Sequence, residues 1–360
     1  MDTSVNFRRG RTAKLSLNSI RRSVMSAPSP IVVIGTSTGG LGALKKLLGA
    51  LPPAFAAPVV ITMHISDGSM LPELLGNACA FPVRYARDGD ALQAGEILVA
   101  RPGSHVLVGI GRVHLGNGAK ENFCRPAIDP MFRSAAYSYK QRVIGVLLTG
   151  NLDDGTVGLQ AIQSCGGVVI VQDPSEAEAS SMPLSALQHV NVDYCLPLQG
   201  IADTLAELIS SDSERVQRDA SEALAIECDL DLHPSHATTE TMDGLAPRSP
   251  LVCPECQGVL WEMQSSPLRY RCHTGHAFTA QTFAQSQNRS VEEALWVAIR
   301  ATRDKEVFFK RQQAQAMSKG KEAEAKEYGL AASHARDTAE TLVHLATANV
   351  VRPGYDEPSR

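Results

Sequence analysis

Short apolar runs alternate with stretches of helical spacing from Ile31 to Leu208. The runs IVVIG, APVVITMH, RVIGVLLTG and VVIVQD contain few polar residues, which indicates strands that are buried on both faces. Strands of this kind, separated by helices, are typical of a parallel sheet. The pattern therefore predicts an α/β domain with a doubly wound, mostly parallel sheet. The less regular segments GEILVA, HVLVGIG and RVHLG predict a β-hairpin insertion.

Charge and cysteine content narrow the class of protein. The net charge of −4 gives no electrostatic reason to expect nucleic acid as a partner. No apolar run approaches the roughly 20 residues that a membrane span needs, so we expect no membrane span. The 8 cysteines are mostly scattered, with one close pair, which favours reduced thiols and a metal site over a disulfide framework. We therefore expect a cytoplasmic protein.

Changes in composition divide the chain into five predicted segments. They are a disordered basic leader (1–29), the α/β domain (30–210), an acidic and polar linker (211–249), a compact Cys/His module (250–288) and a helical hairpin (289–350). The leader lacks the apolar region of a secretory signal, and Met25 offers an alternative start. The hairpin has apolar residues at helical spacing and suggests a structural or partner-binding role.

The predicted linker contains residue types that can bind a metal. They are Cys228, Asp229, Asp231, His233 and His236. No hydrophobic pattern surrounds them to hold such a site rigid, so we favour a solvated linker over a metal site.

The stretch GTSTGG, residues 35–40, joins the first predicted strand to a helix. A dinucleotide-binding loop would need glycine at the position of Ser37, and a nucleotide P-loop would need a lysine that is absent. The segment from Gly35 to Gly39 instead fits G-x-S-x-G, which raises a serine nucleophile on a strained turn between strand and helix. We therefore predict that Ser37 is a nucleophile.

A serine nucleophile needs a base and a group that orients the base. His64 ends the next predicted strand, and Asp153 and Asp154 follow another. Functional residues gather at the carboxyl ends of parallel strands, so we expect all of them at one edge of the sheet. Taken singly, a histidine at a strand end or a DDG turn is more often structural. Their joint placement favours a catalytic triad.

Five segments, in order, resemble one known family. IGTSTGGLGALKKLLGALP, VVITMHI, EILVARPGSHVLV, RPAIDPMFRSAA and GVLLTGNLDDGTVGLQAI resemble the catalytic domain of the chemotaxis protein-glutamate methylesterases, the CheB family. The resemblance covers Ile31 to Leu208 and implies a Rossmann-like, doubly wound domain with a Ser-His-Asp triad. Matched motif by motif, the triad falls on Ser37, His64 and Asp154.

The resemblance also implies a reaction. A γ-glutamyl methyl ester on a methyl-accepting chemotaxis receptor would be hydrolysed, releasing methanol, and deamidation of glutamine is a related activity of the family. The backbone N–H groups of Thr38 and Asn151 would bind the oxyanion, although Asn151-Leu152 stands where the family usually has Met-Gly. The candidate substrate-binding residues are His105, Arg125 and Arg133. Surface placement of such a histidine, and structural ion pairs of such arginines, are the alternatives.

The leader is too short for the phosphoacceptor receiver domain that usually precedes the catalytic domain in this family. We therefore expect no control by aspartyl phosphorylation within the chain, and the regulatory partner is left open. The alternative function is a catalytically idle scaffold that binds a signalling partner through its C-terminal segments. The intact Ser37, His64 and Asp154 favour the enzyme.

The segment CPECQGVLWEMQSSPLRYRCHTGH predicts a metal site. Cys253 and Cys256 form a C-x₂-C pair, and Cys272 and His276 form a C-x₃-H pair, a set of four that suits tetrahedral zinc. Four protein ligands leave no open position, so we expect a structural Zn²⁺ ion and no cofactor for catalysis. His273 is a less favoured fourth ligand, because neighbouring residues in an extended segment point apart.

Overall fold

A computed structural model describes residues 29–211 and 216–348, so the predicted basic leader lies almost entirely outside the described residues. The first nine strands are β1 (Ile31–Thr36), β2 (Val59–Met63), β3 (Val83–Tyr85), β4 (Ile97–Val99), β5 (His105–Gly109), β6 (Arg112–Gly116), β7 (Val143–Leu147), β8 (Val168–Gln172) and β9 (Tyr194–Leu196). Seven of them form one sheet in the order β3-β4-β2-β1-β7-β8-β9. All neighbours in it are parallel.

Helices cover both faces of this sheet. They are α1 (Gly40–Ala50), α2 (Leu71–Gly76), α3 (Ile128–Tyr139), α4 (Thr156–Ser164), α5 (Ser181–His189) and α6 (Leu198–Ser210). Val32 and Ile34 of β1 pack with α1, α2 and α6, whereas Ile31 and Val33 pack with α3, α4 and α5. Alternate residues of a strand point to opposite faces, so β1 is buried on both sides. The predicted doubly wound α/β fold is confirmed.

The strand order reverses between β1 and β7. The strands that follow β1 in sequence, β2 to β4, lie on one side of it, and the later strands β7, β8 and β9 lie on the other side. In open parallel sheets, ligands bind outside the carboxyl ends of the strands at such a reversal. We therefore expect a ligand-binding site among the residues that follow β1, β2 and β7.

The middle of the domain differs in part from the prediction. Strands β5 and β6 form the expected antiparallel hairpin. The segment GEILVA instead contributes β4 to the main sheet, where it pairs with β2 and β3. Ile97, Leu98 and Val99 are all buried, which fits an interior strand and not an exposed insertion.

The prediction of a solvated linker at 211–249 is wrong. The segment contains α7 (Glu222–Leu232) and α8 (Thr239–Leu245). Leu224 joins the core of the α/β domain, and Leu230 and Met242 pack with Trp261. The buried face of α7 also carries the charged Glu227, so no apolar period shows in the sequence.

The C-terminal part is a small antiparallel sheet that continues into two long helices. The sheet has the order β10 (Arg248–Val252), β11 (Val259–Met263), β12 (Arg269–Cys272) and β13 (Ala277–Thr279), and the helices are α9 (Ala280–Ser318) and α10 (Glu322–Ala348). Thr279 caps α9 by accepting a hydrogen bond from the N–H of Thr282. The predicted boundary between residues 288 and 289 therefore falls inside α9. No helix in the described ranges is both long and apolar enough to cross a membrane.

Candidate active site

Ser37 lies on the tight turn between β1 and α1. Gly39 has a φ of 76°, in the left-handed region that favours glycine. At Gly35, a Cβ atom would lie 2.3 Å from Ile128 Cγ2, so a larger residue would push α3 away. The N–H of Ser37 donates to the carbonyl of Thr149 at 3.0 Å, which ties the turn to the end of β7. The two glycines thus allow the sharp turn that carries the serine.

The structure brings Ser37, His64 and Asp154 together from three adjacent strand ends. His64 Nδ1 is 2.9 Å from Ser37 Oγ, and His64 Nε2 is 2.7 Å from Asp154 Oδ2. A carboxylate only accepts, so we assign the ring proton to Nε2. Nδ1 is then the acceptor for the serine hydroxyl. This is the geometry of a nucleophile, a base and a group that orients the base.

Asp154 is buried and held as a carboxylate. Besides His64, its oxygens accept from the side-chain amide of Asn122 (3.0 Å) and from the N–H groups of Ile128 (2.7 Å), Asp129 (3.2 Å) and Gly155 (3.0 Å). Two of these N–H groups belong to the first turn of α3, where the helix dipole favours negative charge. Burial raises the pKa of Asp154, but these bonds, led by that of His64, outweigh it and lower the pKa to about 2.

The carboxylate in turn changes the basicity of His64. Burial lowers the pKa of His64, but the hydrogen bond to Asp154 and a contact with Cys124 outweigh it, so the pKa is raised well above 6.5. A stronger base takes the serine proton more readily, provided that the imidazole is neutral. Activity that depends on His64 must therefore rise with pH.

The other aspartates near the triad have different environments. Asp153 is 3% exposed, and its Oδ1 has no hydrogen-bond partner in the described ranges. Burial raises the pKa of Asp153 to about 6. Burial and the nearby charge of Asp154 raise the pKa of Asp129 well above its usual value. Of the two sequence candidates, Asp154 and not Asp153 contacts His64.

The predicted oxyanion donors lie on two loops that contact each other. Asn151 Nδ2 donates to Thr38 Oγ1 at 3.0 Å, and Thr149 Oγ1 donates to the Thr38 carbonyl at 2.9 Å. Neither the Thr38 N–H nor the Asn151 N–H has an acceptor in the part of the chain that the structure describes. Leu152 has a φ of 66°. Glycine, which the family usually has at this position, adopts this conformation readily, whereas leucine is strained in it.

The predicted substrate-binding residues are used inside the protein. His105 Nε2 donates to the Ala119 carbonyl (3.0 Å) and Nδ1 accepts from the Ala127 N–H (3.1 Å). Arg133 is 1% exposed and forms ion pairs with buried carboxylates. The prediction is therefore wrong for His105 and Arg133. Arg125 is half-buried and donates from Nη1 to the Gly118 carbonyl, so it holds a loop.

Sequence analysis missed the groups that hold Asp154. Asn122 lies in a loop without any periodic pattern, so no signal marks it. The backbone donors of Ile128 and Asp129 could have been found, because Pro130 in RPAIDP is typical of the first turn of a helix. A helix start beside a predicted catalytic carboxylate indicates backbone N–H groups aimed at that charge.

His64 borders an open depression on the protein surface. Residues 65–69, which follow β2, line the rest of it. An open depression gives access to a side chain that projects from another protein, whereas an enclosed cavity would suit a small molecule.

A second group of side chains has the geometry of a metal site. Cys253 Sγ and Cys272 Sγ lie 3.7 and 3.6 Å from His276 Nδ1, and the Sγ atoms of Cys256 and Cys272 are 3.7 Å apart. A tetrahedral zinc ion with usual bond lengths requires S–S separations of about 3.8 Å and S–N separations of about 3.5 Å. Hydrogen bonds with Cys253 and His276 lower the pKa of Cys272 to about 3, which favours the thiolate. His273 is not part of this group.

Comparisons with known proteins identify a family for the α/β domain. The family model for CheB methylesterase matches residues 32–205. A Leptospira interrogans protein, provisionally named protein-glutamate methylesterase/protein-glutamine glutaminase, is 38% identical over 188 residues, which cover 51% of this chain and 97% of that protein. One from Anaeromyxobacter dehalogenans, named protein-glutamate methylesterase/protein-glutamine glutaminase 2, is 40% identical over 180 residues, covering 49% of this chain and 53% of that one.

Among solved structures, the crystal structure of the Thermotoga maritima CheB methylesterase catalytic domain is similar to this chain. The identity is 35% and the TM-score 0.48, over 50% of this chain and 98% of that one.

The doubly wound sheet and the hydrogen-bonded serine, histidine and aspartate at its strand reversal have the architecture of a serine hydrolase. Within that class, the chain belongs to the CheB methylesterase family. The membership confirms the family predicted from the sequence, and with it the predicted enzyme class, a carboxylic-ester hydrolase.

Proposed function

We propose that the protein hydrolyses γ-glutamyl methyl esters on methyl-accepting receptor proteins and releases methanol. The observation that carries this proposal is the chain of hydrogen bonds from Ser37 through His64 to Asp154. The printed names of the relatives support the choice of ester. The open depression beside His64 is suited to a side chain presented by a protein.

The geometry supports a two-step mechanism. Ser37 Oγ attacks the ester carbonyl as its proton moves to His64 Nδ1, and Asp154 stabilises the imidazolium. The N–H groups of Thr38 and Asn151 bind the oxyanion of the tetrahedral intermediate. His64 then gives the proton to the departing methoxide, which leaves as methanol. A water molecule, deprotonated by His64, hydrolyses the acyl-enzyme to glutamate and free Ser37.

The same steps convert a glutamine side chain to glutamate. Ammonia then leaves in place of methanol, and His64 again supplies the proton. The second activity in the relatives' names favours this candidate. None of the eight cysteines, all of which lie in the described ranges, forms a disulfide, which suits a reaction on the cytoplasmic portion of a receptor.

Methanol release from a methyl-labelled receptor preparation tests the proposed reaction. We expect release by the wild-type protein and a loss of at least a thousandfold in Ser37→Ala and His64→Ala, because each removes a group that moves in the reaction. Ser164→Ala is the matched control, since Ser164 is an exposed serine whose bonds in the described ranges are to the Ala161 carbonyl in α4 and to its neighbour Cys165. We expect that variant to match the wild type.

Two outcomes would contradict the proposal. Activity retained in Ser37→Ala would exclude Ser37 as the nucleophile. A folded wild-type protein that releases neither methanol nor ammonia from several receptors would favour the scaffold alternative.

We also propose that Cys253, Cys256, Cys272 and His276 bind one structural Zn²⁺ ion. The separations between their ligand atoms match the edges of a zinc tetrahedron. We expect one zinc per chain by elemental analysis and little zinc in Cys272→Ser. Cys195→Ser is the control, because Cys195 is exposed on β9 and is not one of the four. Wild-type protein purified without zinc, or zinc retained in Cys272→Ser, would contradict the proposal.

A further inference from the structure

We infer that the C-terminal sheet and the start of α9 position the catalytic aspartate through Asn122, and so control the rate of the reaction. We name residues 248–289 the C-terminal module and residues 121–124 the coupling loop. The inference rests on the proposed function, because it concerns the same triad. Asn122 would be a positioning residue, which acts through Asp154 and does not touch the substrate.

On one side, Asn122 contacts the active site. Its Nδ2 donates to Asp154 Oδ1 at 3.0 Å and to Asp129 Oδ2 at 3.1 Å. Asp154 Oδ1 is the oxygen that does not contact His64. Holding this second oxygen fixes the rotation of the carboxylate, and thereby the direction from which Oδ2 faces the imidazole.

On the other side, Asn122 contacts the C-terminal module. Its Oδ1 accepts from the N–H of Thr279 at 3.3 Å and from Thr282 Oγ1 at 3.2 Å. Its backbone N–H donates to the Ala277 carbonyl at 2.9 Å. Asn122 is 5% exposed, so water has little access to replace these partners. The amide therefore connects two parts of the chain that lie far apart in sequence.

The chemistry of the partners permits one orientation of this amide. The carboxylates accept hydrogen bonds, so they require the NH₂ group, whereas the backbone N–H of Thr279 requires the oxygen. A flipped amide would place an oxygen against Asp154 and an NH₂ group against an N–H. Movement of Thr279 or Thr282 therefore changes the position of the NH₂ group that holds Asp154.

The remaining residues of the coupling loop strengthen the connection. Glu121 Oε1 accepts from Arg271 Nη1 at 3.2 Å. The Phe123 ring lies 6.1 Å from that of Phe278, and Arg289 lies over it at 5.1 Å. Cys124, at the end of the loop, contacts His64. The module thus holds one end of a loop whose other end contacts the catalytic base.

The backbone of the coupling loop is strained. Asn122 has a φ of 47° and Phe123 a φ of 66°, two consecutive residues in the left-handed region. Asparagine tolerates this conformation, but phenylalanine rarely adopts it without support from surrounding contacts. The contacts of Phe123 are with the C-terminal module, so the loop depends on the module for its conformation.

The test uses the full-length protein and three variants of α9. Thr282→Val removes the hydroxyl that donates to Asn122 and keeps the shape of the side chain, whereas Thr282→Ser keeps the hydroxyl. Thr302→Val is the control, because the Thr302 hydroxyl bonds within α9 to the Ala298 carbonyl. We expect Thr282→Val to lower kcat on the order of tenfold with KM unchanged. Thr282→Ser and Thr302→Val should match the wild type.

A second readout does not depend on the receptor. A fluorophosphonate reacts with an activated serine: the Ser37 Oγ–P bond forms, fluoride leaves and the serine proton passes to His64. We expect Thr282→Val to slow this labelling on the order of tenfold. Asn122→Asp places a carboxylate beside Asp154, so it should raise the pH midpoint of labelling by raising the pKa of His64. Asn122→Asp provides an independent test of the inference if Thr282→Val does not fold.

The two readouts separate the two hypotheses. Labelling of Ser37 in the wild type without ester or amide hydrolysis would contradict the proposed function, and the effect of Thr282→Val on labelling would still decide the inference. Labelling that is equal in the wild type, Thr282→Val and Asn122→Asp would overturn the inference. An equal loss in Thr282→Ser would also overturn it, because the hydroxyl would then not be the cause.

Discussion

At the scale of single residues, the environment of Asp154 is the central feature of the candidate site. Its carboxylate accepts five hydrogen bonds, from two side chains and three backbone N–H groups. This number of donors stabilises the charged form in a buried place where charge would otherwise be costly. The negative charge in turn raises the pKa of His64.

The pH dependence of hydrolysis follows from this pair. A protonated His64 cannot accept the proton of Ser37, so kcat/KM should fall as the pH falls through the pKa of His64. Because Asp154 raises that pKa, we expect the midpoint to lie above 6.5. In Asp154→Asn the burial remains and the charge is lost, so the midpoint should move down and the rate should fall on the order of 10³- to 10⁴-fold. A wild-type midpoint below 6, measured between pH 5 and 10, would contradict this.

Protonation of Asp153 should stabilise the folded protein, whereas protonation of an ion-paired acid destabilises it. Burial raises its pKa from 3.8 to about 6. The folded protein then binds a proton more tightly than the unfolded chain, so stability falls as the pH rises from about 4 to about 6 and stays lower above that range. We expect Asp153→Asn to raise the free energy of unfolding at pH 8 by a few kcal/mol at most. Thermal unfolding at pH 4 and pH 8 measures this, and a gain at pH 4 alone would contradict it.

Sequence analysis placed Ser37, His64 and the Asp153-Asp154 pair at one edge of the sheet because each follows a buried strand with a clear apolar pattern, and the family resemblance selected Asp154. It misplaced Arg133, because nothing local in RPAIDPMFRSAA shows that the side chain points inward to carboxylates from distant segments. Asn122 was missed for a similar reason, since its partners come from the far C-terminal part of the chain. Contacts between distant segments leave no periodic signal.

At the scale of elements, α7 holds the two halves of the protein together by charge. The side chains of Glu227 and Asp231 are each 6% exposed and face three arginines, one from the α/β domain and two from β12. The charges of Glu227, Asp231 and Glu121 balance those of Arg133, Arg269 and Arg271. Because these side chains are charged, the hydropathy pattern predicts that this face of α7 is exposed. This explains why the prediction of a solvated linker was wrong.

Removing one charge from this cluster should destabilise the whole protein. Arg269 donates from both Nη atoms to Glu227 at 2.9 Å. Glu227→Gln leaves buried arginines without full compensation, and we expect a loss of about 3–5 kcal/mol in the free energy of unfolding. Glu222→Ala, in the exposed first turn of the same helix, should cost well under 1 kcal/mol. Denaturant unfolding compares the two, and equal losses would contradict a role for the buried cluster.

At the scale of the whole molecule, the catalytic domain and the C-terminal module share one buried polar network. Each arginine has a carboxylate within ion-pair distance, so the buried positive charges are paired with negative ones. Such a network requires specific partners, whereas an apolar contact would tolerate sliding. The module is therefore held in one position relative to the triad.

The buried position of Arg133 restricts the evolutionary changes that the C-terminal half of the chain can accept. A chain that stopped after residue 210 would lose Asp231 and Glu227, two of the three carboxylates near the buried guanidinium. It would also expose the part of the core that Leu224 covers. Replacement of the C-terminal half by an unrelated sequence would remove the same carboxylates and expose the same part of the core. In chains that carry both halves, substitutions at these charges should therefore occur in pairs.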